Sequence, residues 1–303
     1  MVSDASIGLF RERLGQVGAW LGSLMPAPVA QEREAARRIE ELGYGSLWAP
    51  ERIGGKEAFA HQSLLLAATE RIVTGTGIAN IWARHPATMQ GGAATVGAGY
   101  PGRFILGVGV SHAPGVERSG QAYREPLSRM REYLDAMDAA AADAPNTEVP
   151  VPRLLAALRP QMLALARDHA DGAHSYFVPT AHTLAARETL GPGKLLITEQ
   201  AVVLSDNPSD ARRVAREHMH GYLQLPNYVN NLRHLGYTDD DFSAGGSDRL
   251  VDAIVVWGGP QEIAKRVREH LDGGADHVLL QPLGPLAEAV HQLEVMAPAV
   301  LNR

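Results

Sequence analysis

The chain has 303 residues, 45% hydrophobic and 20% charged; this excludes a disordered composition and leaves room for one large domain or two ordinary ones. Net charge is −6 with no basic block, which removes the electrostatic footprint of nucleic-acid binding. Cysteine is absent, so disulfides, thiolate nucleophiles and cysteine metal sites are excluded, and a cytoplasmic protein is expected. The opening MVSDASIGLFRERLG is polar and charged, unlike a signal peptide, and no apolar run approaches the ~20 residues of a membrane span.

Short apolar runs alternate with helix-length segments. Strands are predicted over 16–21 and 46–49, with a helix over 30–42 between them that Gly43 ends. A helix over 59–69 leads to a third strand over 72–81. Its Thr74-Gly75-Thr76-Gly77 core mixes strand formers with glycines, which mark a close approach of backbone or ligand. A small-residue helix over 88–99 precedes a fourth strand over 104–110. A loop to about Tyr123, a helix over 126–142 and a proline-rich linker over 144–152 follow. Strands over 153–158, 172–177 and 195–204 alternate with helices over 160–170 and 180–190. Helices over 209–224, 227–235 and 248–256 then fill the interval before helix 260–272, an eighth strand over 277–283 and a last helix over 285–300.

Eight strands alternating with helices imply parallel βαβ units, and that count favours a (β/α)₈ TIM barrel over an open doubly wound sheet. The expected organisation is a single barrel domain over 1–303 with a helical insertion over 205–259. An insertion of that size either covers the active-site face or serves dimerisation; Asn227-Tyr-Val-Asn-Asn231 within it suits a lid or a dimer contact.

Known motifs fail at single positions. Gly107-Val-Gly109-Val-Ser111-His112 lacks the third glycine of a dinucleotide fingerprint, and Ala113 breaks the esterase pentapeptide. His218 and His220 are two apart on a helix and face different sides, so no metal site is expected. Position says more. Ligands of a barrel sit at the C-terminal strand ends. There stand Trp20, Glu51-Arg52, Asn80 to His85, Ser111-His112, Leu158 to Gln161, Tyr176, Glu199-Gln200 and Gln281. Pro160 suits a first helical turn, and the N–H groups it introduces, with Arg159, suit a phosphate.

The ordered segments TGIANIWARHP, GYPGRFILGVGVSH, LLAALRPQMLALARDHADGAHSYFV and GGADHVLLQPL resemble the luciferase-like flavin and deazaflavin monooxygenase superfamily, and within it the coenzyme F420-dependent oxidoreductases. The likeness runs from about Gly15 to Gly284. It implies a dimeric luciferase-like barrel binding a phosphate-bearing deazaflavin or flavin at its mouth. It further implies a bulge with a non-prolyl cis peptide at Gly77–Ile78 behind the ring, Asn80 at the ring's polar edge, and Glu51 after the second strand. Val110, Ser111 and His112 match the segment after the fourth strand, where relatives often carry an acidic residue in place of His112. Ala157, Leu158, Arg159, Pro160, Gln161 and Met162 match the phosphate loop, with Arg159 where glycine is usual. The implied activity is hydride transfer between F420 and a small organic substrate, with His112 and then Glu51 as acid/base candidates. FMN with a separate reductase, or a non-catalytic F420 carrier, are the alternatives. No nucleic-acid or membrane partner is expected.

Overall fold

The structure is a computed structural model that describes residues 1–301. It opens with helix α1 (Asp4–Leu14), capped by the Ser3 hydroxyl, which accepts the Ser6 N–H, and stopped at Gly15. Then come β1 (Val17–Trp20), α2 (Val29–Leu42), β2 (Ser46–Ala49), α3 (Ala58–Leu66), β3 (Val73–Thr76), β4 (Ala79–Asn80) and α4 (Pro86–Gly99). Next are β5 (Phe104–Gly109), α5 (Ala113–Arg118), α6 (Pro126–Ala139), β6 (Arg153–Ala156), α7 (Pro160–His169), β7 (Gly172–Ser175), α8 (Thr180–Leu190) and β8 (Leu195–Val203). The chain continues through α9 (Pro208–Tyr222), α10 (Pro226–His234), α11 (Asp239–Phe242), α12 (Asp248–Ile254) and β9 (Val255–Trp257). It ends with α13 (Pro260–Asp272), β10 (His277–Pro282) and α14 (Leu286–Val300).

Strands β1, β2, β3, β5, β6, β7, β8 and β10 pair in that order, all parallel, and β10 returns to β1, closing an eight-stranded TIM barrel. The outward faces of β1, β2 and β10 bury apolar residues against α2, α13 and α14, as Leu47 does with Ile39 and Leu293. Those of β5 to β7 do the same against α4, α6, α7 and α8. Helix α1, which was not expected, puts Ile7, Phe10 and Leu14 on one face by their i, i+3, i+7 spacing. They pack with Val73, Ile105, Leu154, Leu195 and Leu279 from the early parts of the strands and so close the barrel's N-terminal end.

Trp20 and Trp48 fill the interior above that plug, and the strand glycines make room for them. A Cβ at Gly75 would overlap the Trp48 indole, and one at Gly77 would overlap that of Trp20. The rings approaching these glycines are thus the protein's own.

The third strand is two pieces rather than one. Thr74 and Gly75 pair with Phe104 and Ile105, whereas Ala79 and Asn80 pair with Val108 and Gly109. From 75 to 79 this edge advances one residue more than its partner does from 105 to 108, which is a β-bulge. The Gly77–Ile78 peptide within it is cis. Thr76 spans the break: its hydroxyl donates to the Gly107 carbonyl at 2.7 Å and accepts the Gly107 N–H at 2.9 Å.

Two further expectations are corrected. The segment after β5 is not all loop, because Pro114 lies in the first turn of the short helix α5. The insertion is not all helical either. Helix α12 stops at Ile254, and Val255–Trp257 pairs with Ala201–Val203 of β8. β-Branched valines next to an open strand edge favour that pairing over another helical turn.

Candidate functional site

The C-terminal ends of the barrel strands form two unlike halves of one rim. The first half runs from β2 to β6. Glu51, just beyond β2, is at its centre, with a side chain only 4% exposed. Its Oε1 accepts the Ala58 N–H and an Arg84 Nη2 bond; its Oε2 accepts the Asn80 N–H at 2.7 Å and Arg84 Nη1 at 3.0 Å. Four donors fill a carboxylate's four lone-pair sites, so Glu51 fastens β4 to α3 and to Arg84 and keeps no acceptor site for a substrate proton. Arg84 is further held by Glu57 and lies 5.2 Å from the centre of the Phe59 ring. Asn80 is buried, and its Oδ1 accepts the Trp82 N–H. His85 begins α4, its Nδ1 accepting the Ala87 N–H. Arg52 is exposed.

The bulge brings the neighbouring strands into the same surface. A Cβ at Gly109 would meet Ile78 and Ala156, so Ile78 spreads over Gly109 toward β6. Trp82 Nε1 donates to the Val110 carbonyl at 2.9 Å. Ser111 then takes a left-handed backbone, φ 55°, which costs a non-glycine residue about 1–3 kcal/mol and marks sites under functional constraint. The turn aims His112 across the mouth rather than along the strand. His112 occupies the N-cap position of α5 without capping it. Burial lowers its pKa, opposed by the Asn227 side chain, and its Nδ1 is buried without a partner. Leu158 follows β6, its carbonyl bound by His182, and the exposed Arg159 and Pro160 open α7, placing Gln161 and Met162 in its first turn.

The second half comprises the ends of β7 and β8 and the segment over them. Phe177 also has a left-handed backbone, φ 59°, and its N–H donates to Glu199 Oε2 at 3.0 Å. Glu199 is buried on β8, its other oxygen lacks a partner, and burial pushes its pKa up to about 8, against the Phe177 N–H. Tyr176 lies 5.0 Å from Trp20, centre to centre, and its hydroxyl is 2.8 Å from that of Tyr222 on α9. Tyr228 on α10 lies 5.2–5.4 Å from the rings of Phe177, His112 and Tyr222. Helices α9, α10 and α12 share a core with Phe177 and the end of β8. This part of the insertion therefore covers the mouth. His218 faces Phe177 and Tyr222, while His220 is exposed.

Sequence reasoning placed Trp20, Tyr176, Glu199 and Gln281 at the rim but made none a site residue. It named Tyr228 only within the 227–231 segment suited to a lid or a dimer contact, and it missed Tyr222 and His174, whose Nε2 is buried without a partner inside the barrel. The adjacent aromatics of 222–228 were the available signal.

Residues 13–277 match the family model of the luciferase-like monooxygenases. The 5,10-methylenetetrahydromethanopterin reductase of Methanolobus tindarius is 22% identical over 308 residues, covering 88% of this chain and 94% of that protein. The F420-dependent glucose-6-phosphate dehydrogenase of Kribbella flavida is 25% identical over 307 residues, covering 83% and 87%. Among solved structures, an F420-dependent secondary alcohol dehydrogenase holding an F420–acetone adduct shares the fold with a TM-score of 0.75, at 17% identity over 94% of this chain and 98% of that one. So does the FMN-bound oxygenating constituent of 3,6-diketocamphane monooxygenase from Pseudomonas putida, with a TM-score of 0.65, at 16% identity over 95% and 98%. The family match begins in the helix that plugs the barrel and ends at its last strand, taking in the bulge and both halves of the rim: the chain belongs to the luciferase-like monooxygenase family.

Proposed function

We propose that this protein is an F420-dependent oxidoreductase that moves a hydride between the deazaflavin and a small organic substrate at the barrel mouth. The observation that carries this reading is the bulged edge at Gly77–Ile78. There the backbone leaves the sheet register at the rim, and Ile78 lies over Gly109 beside Ala156. A planar heterocycle fits a surface of that kind, apolar in its middle and bordered by amides. The near full-length likeness to two F420-linked or methanopterin-linked enzymes supports F420 over FMN.

A bound deazaflavin supplies hydride transfer at carbon, where a flavin has nitrogen. The chain's own residues do the rest. Ile78 and Val110 would lie against the ring with the Asn80 side-chain amide at its edge, whereas the Gly77 amide groups are held by Ala49 and Trp20 and Ala157 packs outward against α7. Ser111 sets the turn into His112. The N-terminus of α7, from Leu158 and Arg159 through Pro160, Gln161 and Met162, receives the phosphate-bearing tail. Glu51 holds β4 in place. His112, kept neutral by burial, exchanges a proton with the substrate heteroatom through its partnerless Nδ1. Tyr222 and Tyr228 keep water from the mouth. The same reading makes the protein a cytoplasmic homodimer, on family likeness alone.

The test is to titrate the purified protein with F420 and, separately, with FMN, following ring fluorescence. F420 is expected to bind at least about tenfold more tightly, or ~1.4 kcal/mol. Tighter FMN binding replaces the reading with an FMN-dependent monooxygenase. Failure of both to bind makes the barrel non-catalytic.

A further inference from the structure

One side chain joins the loops that follow β1 and β2. Lys56, in the loop after β2, donates to the carbonyls of Leu24 and Ala27 in the loop after β1, each at 2.7 Å, and to Glu32 Oε2 on α2. An ammonium has three hydrogens, and oxygens take all three. The Glu32 side chain is fully buried; its Oε2 also accepts from His61 Nε2 on α3 at 3.1 Å, and its Oε1 is buried without a partner. Two carbonyls and a carboxylate converging on one nitrogen are the oxygen set of a hard cation. Lysine is the exception in this chain: among 28 basic residues only Lys56, Lys194 and Lys265 are lysines, and the neighbouring Glu51 clamp uses Arg84. A planar guanidinium fork matches one carboxylate edge, whereas a compact ammonium matches oxygens from three directions. The residues after Lys56 serve the mouth. Glu57 accepts the Ala60 N–H and an Arg84 Nη2 bond, each at 2.8 Å, and the Ala58 N–H is one of the four donors on Glu51.

We propose that Leu24, Ala27 and Glu32 form a site for an ammonium-sized monovalent cation, that the chain fills it with Lys56, and that this tethered cation positions the β2 side of the mouth. Glu32 makes a cation necessary, because a buried carboxylate alone is strongly unfavourable. Two side chains reach its Oε2. Burial and the Lys56 charge lower the His61 pKa, against Glu32, so His61 meets the carboxylate as a neutral donor and the compensating charge is that of Lys56. The tether adds what a free cation lacks. A cation from solvent would neutralise Glu32 and no more. A side chain in the same place also fixes the backbone at 56, and with it Glu57 and Ala58, which hold Arg84 and Glu51. Through Glu51 the effect reaches the Asn80 N–H on β4. Lys56 is thus a positioning residue that acts through its chain neighbours. The cation site stands apart from the F420 reading; its effect on cofactor binding rests on that reading.

The test is rescue by a cation in solution. Lys56→Ala leaves room for one, and Lys56→Met fills the space of the stem without charge. Both variants are purified in ammonium chloride. The cofactor-free proteins are then unfolded by heat in ammonium chloride and in tetramethylammonium chloride at equal ionic strength, the second cation being too large for the site. In tetramethylammonium both variants should unfold about 5 °C or more below the wild type. Ammonium should restore at least about half of that loss to Lys56→Ala and none to Lys56→Met, with the wild type indifferent to the exchange. A Lys56→Ala protein that ammonium does not stabilise, a Lys56→Met protein that it stabilises equally, or insolubility of Lys56→Ala in ammonium overturns the proposal. The wild type gives a second measurement, since its three lysines can be labelled with heavy nitrogen. The Lys56 ammonium should show a slowly exchanging NMR signal that Lys56→Met lacks; a wild type without it also overturns the proposal. F420 should bind Lys56→Ala at least about tenfold more weakly than wild type in tetramethylammonium and within about threefold of it in ammonium. Equal affinity in both salts overturns the positioning role. Failure of F420 to bind the wild type would instead remove the reading of the preceding subsection and leave the unfolding result standing.

Discussion

Replacing Glu51 with Gln separates a structural clamp from an acid/base role. The wild-type carboxylate accepts four hydrogen bonds, two from the Arg84 guanidinium and one each from the Asn80 and Ala58 amides. A glutamine has one acceptor oxygen, so whichever way its amide is flipped, its NH₂ must face a donor. The pair is buried, with side-chain exposures of 4% for Glu51 and 8% for Arg84. Removing one partner of such a pair costs about 3–5 kcal/mol. Arg84 keeps Glu57 and the Phe59 ring, so the loss here should lie at or below the lower end, about 2–3 kcal/mol. Urea-induced unfolding measures it. Because Asn80 N–H is among the lost bonds, the β4 edge should loosen, weakening F420 binding about tenfold, or ~1.4 kcal/mol. The pH profile of turnover should keep its shape. A variant as stable as the wild type to within about 0.5 kcal/mol, with one limb of its pH profile gone, would refute the clamp and make Glu51 the proton-transfer group.

Acid should destabilise the protein steeply. Burial holds His174, His218 and His277 near pKa 4 and His270 near 3, against 6.5 when unfolded. Between about pH 6.5 and 4 the unfolded chain binds these protons and the native protein does not, so stability falls as pH falls, by ~1.4 kcal/mol per pH unit for each histidine. Glu199 runs the other way between about pH 4.5 and 8, leaving a net slope of roughly three histidines; equal unfolding free energies at pH 5 and 6.5 would contradict this. Gly75→Ala should lose about 1–3 kcal/mol or more through overlap with the Trp48 indole, read by the same unfolding experiment. His112→Gln should fold normally and bind F420 within about threefold of wild type, while turnover drops roughly 10²-fold or more; unchanged turnover would remove His112 from the chemistry.

The barrel was legible because its strands are short apolar runs separated by amphipathic helices, and that pattern is local. Phe104–Gly109 is buried at every position and reads as a continuous apolar run, and Leu195–Val203 is buried throughout with apolar ends flanking Thr198, Glu199 and Gln200. Gly75 and Gly77 by themselves marked only a close approach, while the bulge was legible through the family resemblance. Which rings those glycines accommodate was not, because Trp48 and Trp20 approach from other strands. Strand β9 escaped for a related reason: Val255 and Val256 continue the apolar face of α12, and only the free edge of β8 decides against another turn. Glu199 was visible as a strand-end polar residue, yet its character depends on burial and on the Phe177 N–H, which come from the end of β7 and the helices over the mouth and not from residues near it in sequence.

The asymmetry of the rim bears on how a ligand must lie. From β2 to β6 the rim offers amides, a helix N-terminus and the exposed Arg159, groups that suit an anionic, extended ligand. From β7 to β8 and under the lid it offers tyrosines, a phenylalanine and a carboxyl whose pKa burial pushes up to about 8. An anion driven into that second half would meet a hydroxyl-lined apolar wall, where Arg52 acts on Tyr222 but forms no ion pair among the described residues, which is unfavourable by several kcal/mol on ordinary desolvation grounds. On the proposed function the charged tail of the cofactor belongs to the first half, which includes the bulge, and the reacting, uncharged end of the substrate to the second. That orientation puts His112, which leaves the first half and touches Tyr228 of the second, where hydride and proton must meet.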